Sequence, residues 1–190
     1  MSAPLVVVSA GTYHLPFNRL SEWMQSWLED TDGVRVVMQH GPSVAVVGAE
    51  NVDILPYTEL LELCRQATAV VLQGGAGAVM DMRALGIVPI VVPRIPGDGE
   101  VVDDHQLVFS AEMEALGILR RALTSEDLTA QLDRALSHVR AEEKPSEIAT
   151  PGAEVVRRLL EQPIRRAPWY AFLPRLLRSG SAILSSRLRR

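Results

Sequence analysis

The sequence has one cysteine among its 190 residues, so no disulfide can form within the chain. Cys64 lies in an apolar, helical-looking run and is predicted to be a small buried residue. The first residues lack the basic segment of a secretory leader. The apolar run that follows, residues 5–8, is too short for a leader core or a membrane span. These absences predict a chain that stays in a reducing cytoplasm.

Acidic residues are missing from the last part of the chain. Residues 164–190 carry seven Arg and no Asp or Glu, whereas residues 1–163 carry the other 12 Lys and Arg against all 23 Asp and Glu, a formal net charge of −11. An acidic main domain predicts no nucleic-acid partner, and the basic end is predicted to contact anionic lipid or a partner protein.

The length suits one domain with an extension. We predict a main domain over residues 1–141, a linker with a short helix over residues 142–168, and a basic amphipathic tail over residues 169–190. Apolar residues recur along the tail at helical spacing, but Pro174 and Gly180 interrupt it. A helix that lies on an anionic surface and a disordered basic end are both left open.

Short β-branched runs alternate with amphipathic stretches in the main domain. The predicted strands are residues 5–9, 34–39, 52–55, 69–72, 88–92 and 118–123. The predicted helices are residues 17–28, 57–67, 78–85, 105–116 and 126–141, the last capped by residues 124–127. This alternation predicts an α/β fold: a Rossmann-like doubly wound parallel sheet, which binds ligands at the carboxyl ends of its strands.

The loop after the first strand holds Gly11, Thr12 and His14. Gly11 permits a tight turn and a close approach of a ligand, and Thr12 can donate to a phosphate oxygen or cap the next helix. A strand-to-helix turn without a binding role is the alternative.

The loop after the fourth strand is rich in glycine and leads into a helix. Backbone N–H groups and the helix dipole at such a place form an anion site, for which a diphosphate is the natural occupant. Asp81, about one turn inside the helix, can accept hydrogen bonds from ribose hydroxyls, or it is a surface acid without a role. The loop consists of Gln73, Gly74, Gly75, Ala76 and Gly77.

The longest loop, residues 93–104, ends in a dense polar cluster. Asp, His and Gln at a helix start supply the donors and acceptors that a sugar's hydroxyls need. A helix cap made by Asp103 or Asp104 is an alternative that can hold at the same time. A metal site is disfavoured, because adjacent residues at a helix start do not all point the same way. The candidate sugar-binding residues are Glu100, Asp104, His105 and Gln106.

Other polar residues give little functional signal. No nucleophile, base and orienting group of the hydrolase type can be assembled from the sequence. His40 follows a strand and His138 lies on a polar helix, and both are predicted to be structural or solvated.

Taken together, residues 11–20, the glycine loop, and residues 92–106 resemble the carboxy-terminal half of family-28 glycosyltransferases. The likeness covers about residues 4–140 and depends on three motifs in order. It is nearest to the split members of the family, which include a bacterial exopolysaccharide transferase and the eukaryotic dolichol-linked N-acetylglucosaminyltransferase. The resemblance implies one half of a GT-B fold.

The resemblance also implies roles. Thr12 and residues 73–77 would lie at the diphosphate of a UDP-sugar donor, Asp81 at the ribose, and His105 with Gln106 at the sugar. Thr12 and His14 would face the cleft between the two halves of the enzyme. Two positions depart from the family: Gln73 stands where relatives usually have His, and Asp81 where they usually have Glu, which puts donor affinity or identity in doubt.

The implied reaction needs a second half. In split relatives a membrane-anchored subunit holds the polyprenyl-linked acceptor, and the expected chemistry is inverting transfer without a metal cofactor. The base is His14 or a group on the partner. A non-catalytic subunit that binds nucleotide sugars or regulates the enzyme is the alternative, and a standalone enzyme that acts on a soluble acceptor is a third possibility. The expected location is the cytoplasmic side of the plasma membrane, at its inner face.

Overall fold

A computed structural model describes residues 3–97 and 99–137. The predicted linker and tail, His138 and the end of the last predicted helix lie outside the described residues.

Six strands and five helices alternate along the described chain. The strands are β1 (Leu5–Ser9), β2 (Arg35–Gln39), β3 (Glu50–Val52), β4 (Ala69–Gln73), β5 (Ile90–Val92) and β6 (Arg120–Arg121). The helices are α1 (Asn18–Glu29), α2 (Tyr57–Gln66), α3 (Ala76–Ala84), α4 (His105–Ala115) and α5 (Ser125–Ser137). None of the helices in this part of the chain is long and apolar enough to cross a membrane.

The strands form one parallel sheet in the order β3-β2-β1-β4-β5-β6. Val7, at the middle of β1, aligns with Val37 of β2 on one side and with Val70 of β4 on the other. The chain therefore leaves β1 in one direction and returns to its other side at β4. A ligand crevice is expected at this switch point, outside the carboxyl ends of the two strands.

Alternate residues of the strands face two separate apolar layers, which is why the strands read as continuous apolar runs. Val6 and Val8 pack with α1 and α5, through residues such as Leu20 and Leu128. Val7 faces the other layer, where α2, α3 and α4 contribute Cys64, Val79, Met82, Phe109 and Met113. Complete burial of an aliphatic side chain stabilises the fold by about 1.5–3 kcal/mol. The doubly wound prediction is confirmed.

Cys64 is fully buried, as predicted, and burial raises the pKa of its thiol to about 11. A thiol with that pKa is almost entirely protonated at neutral pH, so it is a poor nucleophile. Its role is therefore packing between α2 and the sheet.

Most element boundaries differ from the sequence predictions by one to three residues, and two of these differences lie close to functional loops. β3 is Glu50–Val52 rather than residues 52–55, because the chain turns out of the sheet at Asp53 and Leu55 N donates to the Gln39 side chain. α3 begins at Ala76 rather than at residue 78, which brings its first turn directly against the glycine loop.

The predicted cap of the last helix is confirmed. Asp127 N donates to Thr124 Oγ1 at 3.1 Å, and Thr124 N donates to Asp127 Oδ2 at 3.2 Å. Each residue thus satisfies a backbone donor of the other, which is a reciprocal capping box.

Candidate functional site

Three loops meet at the carboxyl edge of the sheet. They are residues 10–17 between β1 and α1, residues 74–75 between β4 and α3, and residues 93–104 between β5 and α4. Because β1, β4 and β5 are neighbours in the sheet, the loops that follow them are adjacent in space. The sequence motifs that lie far apart along the chain are therefore brought together at one place.

The glycine loop is closely packed against α4. Gly74 N donates to Gln106 Oε1 at 3.0 Å, and a Cβ added to Gly74 would lie 2.9 Å from the Gln106 Cβ. Neither Gly74 nor Gly75 has a positive φ, so Gly74 is required for close approach rather than for backbone conformation. The loop and the start of α4 thus form one packed unit.

The first turn of α3 is open. Ala76 and Gly77 are exposed, and a Cβ added to Gly77 would meet nothing within 4 Å. The first N–H groups of a helix have no partner within the helix, and the dipole adds a fractional positive charge there. The geometry can therefore accommodate an anionic group above residues 76–78.

Gln106 is almost completely buried, with 5% of its surface exposed. Its Oε1 accepts from Gly74 N and from Arg94 N at 3.1 Å, and its Nε2 donates to Gln73 Oε1 at 3.3 Å. Both acceptor positions of Oε1 and one of the two N–H groups of Nε2 are thus used inside the protein. The predicted contact of Gln106 with the donor sugar stays a prediction.

Glu100 is also buried, with 5% of its surface exposed. Its two carboxylate oxygens accept from Nε and Nη2 of Arg19 at 2.9 Å, and Oε2 also accepts from Ile95 N. This forked ion pair ties α1 to the long loop. Its predicted sugar contact likewise stays a prediction, because the carboxylate already has charged and backbone donors.

Gln73 turns away from the open face of the loop. Its Oε1 accepts from Arg94 Nε at 3.0 Å and from Gln106 Nε2. The neutral amide of Gln73 therefore bonds to a buried guanidinium. Its predicted place at the diphosphate remains a prediction.

His105 and Asp104 are exposed at the start of α4. Asp104 occupies the N-cap position, as predicted, but its side chain makes no cap hydrogen bond. The carboxylate of Asp103, the other predicted cap, accepts from His105 N at 3.3 Å. It also pairs with the His105 ring through Nδ1, and this hydrogen bond lowers the pKa of the Asp103 carboxyl. The pair holds the His105 ring at the surface of the site.

Thr12 and His14 are exposed on the first loop, and the His14 ring lies 4.5 Å from that of Tyr13. Gly11 has a φ of 81°, which only glycine adopts easily. Both side chains are thus presented at the edge of the sheet.

Asp81 lies further along α3 and accepts a hydrogen bond from Tyr57 Oη at 2.9 Å. The bond to this carboxylate raises the pKa of Tyr57. No role for Tyr57 is predicted from the sequence. Its position at the start of α2, on the same face of the sheet as α3, becomes visible only in the fold.

Among residues 3–97 and 99–137 no group of three or more His, Cys, Asp or Glu side chains could hold a metal ion.

The second residue that sequence reasoning missed, after Tyr57, is Arg94, which the structure buries completely beneath the three loops. The signal was a charged residue directly after an apolar strand, where burial forces it to find several oxygen partners.

The sequence model of the glycosyltransferase family 28 C-terminal domain matches residues 5–159. The chain belongs to this family. A curated relative, the UDP-N-acetylglucosamine–N-acetylmuramyl-(pentapeptide) pyrophosphoryl-undecaprenol N-acetylglucosamine transferase of Leuconostoc citreum, is 28% identical over 110 residues, which are 55% of this chain and 29% of the relative.

Solved structures share the fold of this family 28 domain. MurG of Acinetobacter baumannii has a TM-score of 0.51 at 18% identity, over 70% of this chain and 41% of that one. The kitacinnamycin glycosyltransferase has a TM-score of 0.55 at 21% identity, over 70% of this chain and 35% of that one. A putative UDP-N-acetylglucosamine 2-epimerase of Listeria monocytogenes has a TM-score of 0.58 at 13% identity, over 84% of this chain and 44% of that one. The chain thus spans less than half of the length of the curated relative and of each of these three structures, and it has the architecture of one half of a GT-B fold.

Proposed function

We propose that this chain is the donor-binding, catalytic subunit of a two-component glycosyltransferase. It transfers a sugar from a UDP-sugar to a polyprenyl-diphosphate-linked acceptor in the synthesis of exopolysaccharide or another cell-envelope glycan. The observation that carries the proposal is the match to the family 28 domain across all three loops that meet at the sheet edge.

The open first turn of α3 supports a role in diphosphate binding. Backbone N–H groups of residues 76–78 face the β- and α-phosphates, and Thr12 donates from the neighbouring loop. Asp81 accepts from the ribose hydroxyls, while Tyr57 keeps its carboxylate in place. His105 and Asp104, exposed at the start of α4, contact the sugar.

The reaction forms a bond between the acceptor oxygen and the anomeric carbon and breaks the bond from that carbon to the diphosphate. A base takes the proton of the acceptor hydroxyl, and UDP leaves with the electron pair. Backbone amides and the α3 dipole stabilise the departing diphosphate without a metal ion. His14, exposed on the adjacent loop, is the candidate base in this chain, and a partner residue is the alternative.

The acceptor is held by a membrane-anchored partner subunit. The name of the Leuconostoc relative describes transfer to a pyrophosphoryl-undecaprenol substrate, which supports a lipid-linked acceptor. Residues 169–190, with their Arg, bind anionic lipid at the inner face of the plasma membrane or dock on the partner.

A non-catalytic subunit that binds nucleotide sugars is the second candidate. The internal use of Glu100 and Gln106 favours it, because two residues expected at the sugar already have partners within the chain. The two candidates differ in turnover but share donor binding.

The test measures donor binding and transfer separately. Calorimetry with a panel of UDP-sugars identifies the donor, and incorporation of labelled sugar into lipid extract is followed with and without membranes from the source cell. We expect transfer only when the membranes are present. Asp81→Ala should lower it about tenfold or more through lost hydrogen bonds, and His14→Ala by about 10²-fold or more if His14 is the base.

Asp32→Ala serves as the matched control, because Asp32 is exposed in the connection between α1 and β2, at the opposite edge of the sheet. Transfer that is unchanged by Asp81→Ala would support the non-catalytic subunit. Transfer by the purified chain to a soluble acceptor would remove the need for a partner. Failure to bind any UDP-sugar, with or without membranes, would overturn the whole proposal.

A further inference from the structure

Arg94 is the first charged residue after β5 and has no exposed surface. Its guanidinium holds the loop between β1 and α1 from beneath. Nη2 donates to Ala10 O at 2.9 Å, and Nη1 donates to Leu15 O at 3.0 Å and Pro16 O at 3.1 Å. These carbonyls flank the exposed Thr12 and His14, so Arg94 fixes both ends of the segment that presents them.

The same guanidinium reaches the other two loops. Its Nε donates to Gln73 Oε1 at 3.0 Å, next to the glycine loop, and Nη1 donates to Glu100 O at 2.9 Å in the long loop. The backbone N of Arg94 also shares Gln106 Oε1 with Gly74 N. One side chain therefore sets the positions of all three loops relative to one another.

The charge of Arg94 has no direct counter-ion among these partners. Its acceptors in the described chain are four backbone carbonyls and one amide oxygen, while the neighbouring Glu100 carboxylate pairs with Arg19. Two guanidiniums and one carboxylate leave one net positive charge in this cluster. A charge held in a desolvated position acts strongly on an anion nearby. The ring of Phe17, 4.7 Å from Arg94 Cζ and 5.2 Å from Arg19 Cζ, packs against both cations.

Arginine suits this position better than lysine. The three guanidinium nitrogens lie in one plane and donate in fixed directions, whereas a lysine ammonium has three donors on a flexible stem and cannot reach oxygens on three loops together.

We propose that Arg94 is the positioning residue of the donor site. It holds the Thr12–His14 segment in register with the glycine loop, and it supplies a net positive charge beneath the diphosphate without touching it. This inference rests on the proposed function. It assigns a role to a residue that makes no contact with the substrate.

The first experiment needs no ligand. In Arg94→Lys, the hydrogen-bonded amides of Ala10, Gly11, Phe17 and Gly74 should exchange hydrogen faster, while amides of β1 and β4 keep their protection. Arg35→Lys is the matched control, because Arg35 forms an exposed ion pair with Glu50 away from the site. Loss of protection throughout the sheet in Arg94→Lys, or unchanged exchange in the loops, would overturn the positioning role.

The second experiment uses UDP and uridine as probes. Gln73→Glu keeps the size of the side chain and places a carboxylate on Arg94 Nε, which cancels the net charge while the loops remain held. UDP affinity should fall about tenfold and depend less on salt, with uridine affinity unchanged. Equal changes for both probes, or none for UDP, would overturn the electrostatic part.

The third experiment measures transfer with membranes present. Arg94→Lys retains the charge but releases the loops, so kcat should fall by as much as about 10²-fold while KM for the donor changes much less. A change confined to KM would overturn the positioning role. If the unaltered protein binds no UDP, the proposed function fails, and the exchange experiment still decides whether Arg94 holds the loops.

Discussion

The residues of the candidate donor site fall into two layers, one bonded within the protein and one exposed. The lower layer consists of Gln73, Arg94, Glu100 and Gln106, which bond to one another and to the loop backbones. The upper layer consists of Thr12, His14, Ala76, Gly77 and His105, which are exposed. Residues of both layers occur in the same short motifs. A polar loop motif can therefore contain both residues that hold the loops together and residues that are exposed for binding.

Gly11→Ala should produce the largest effect, because it disturbs the lower layer. A Cβ at Gly11 would lie 2.6 Å from Gln73 Cδ and overlap the amide that binds Arg94. A non-glycine residue at this positive φ costs about 1–2 kcal/mol, and displacing Gln73 adds about 1–3 kcal/mol. The free energy of unfolding in urea measures the total.

Gly33→Ala separates the two contributions. Gly33 has a φ of 71°, but an added Cβ would meet nothing within 4 Å, so this variant carries the backbone strain alone. If both variants lose the same free energy of unfolding, displacing Gln73 does not destabilise the protein, and the distinction between the layers is wrong.

Neighbouring residues allow a second test, of smaller effect. Gln106→Ala removes Oε1, the acceptor that the buried N–H groups of Gly74 and Arg94 share, at a cost of about 1–3 kcal/mol. His105→Ala, one residue away in the upper layer, should change stability by less than about 0.5 kcal/mol but weaken UDP-sugar binding. Urea unfolding and calorimetry on both variants check this. A large loss of stability in His105→Ala would contradict the assignment of layers.

The smallest effect is expected at Tyr57 and Asp81, beside the two layers. The hydrogen bond to Asp81 raises the pKa of Tyr57, so the phenol keeps its proton to higher pH in the folded chain than in the unfolded chain. The stabilisation is complete below about pH 10, the ordinary tyrosine pKa, and is lost as pH rises through the folded value. Asp81→Asn should shift one tyrosinate absorbance transition to lower pH. An unchanged titration would show that the pair does not form in solution.

Much of the fold could be predicted from the sequence. The continuous apolar runs of β1, β2 and β4 predict strands that are buried on both faces, as in a parallel sheet, and the structure buries them in this way. The order of the loops follows from that sheet, because the carboxyl ends of parallel strands share an edge. The starts of α2 and α4 were predicted to the residue.

Which polar side chains of the site are buried and which are exposed could not be predicted. Gln106 is next to His105 in sequence, yet one side chain turns inward to Gly74 and the other outward, as set by the packing of α4 against the glycine loop. Arg94 was missed for a similar reason. Its acceptors lie at residues 10, 15, 16, 73 and 100, and only the folded sheet brings them within reach of one guanidinium.

The strand order also bears on how the chain is made. Of the six described strands, β1 is synthesised first and lies in the interior of the sheet. On one side of it lie β2 and then β3, and on the other side lie β4, β5 and β6 in that order. On each side the order in space is the order of synthesis. Every strand that leaves the ribosome can therefore add to an edge that already exists, and none has to be inserted between two strands that have already paired.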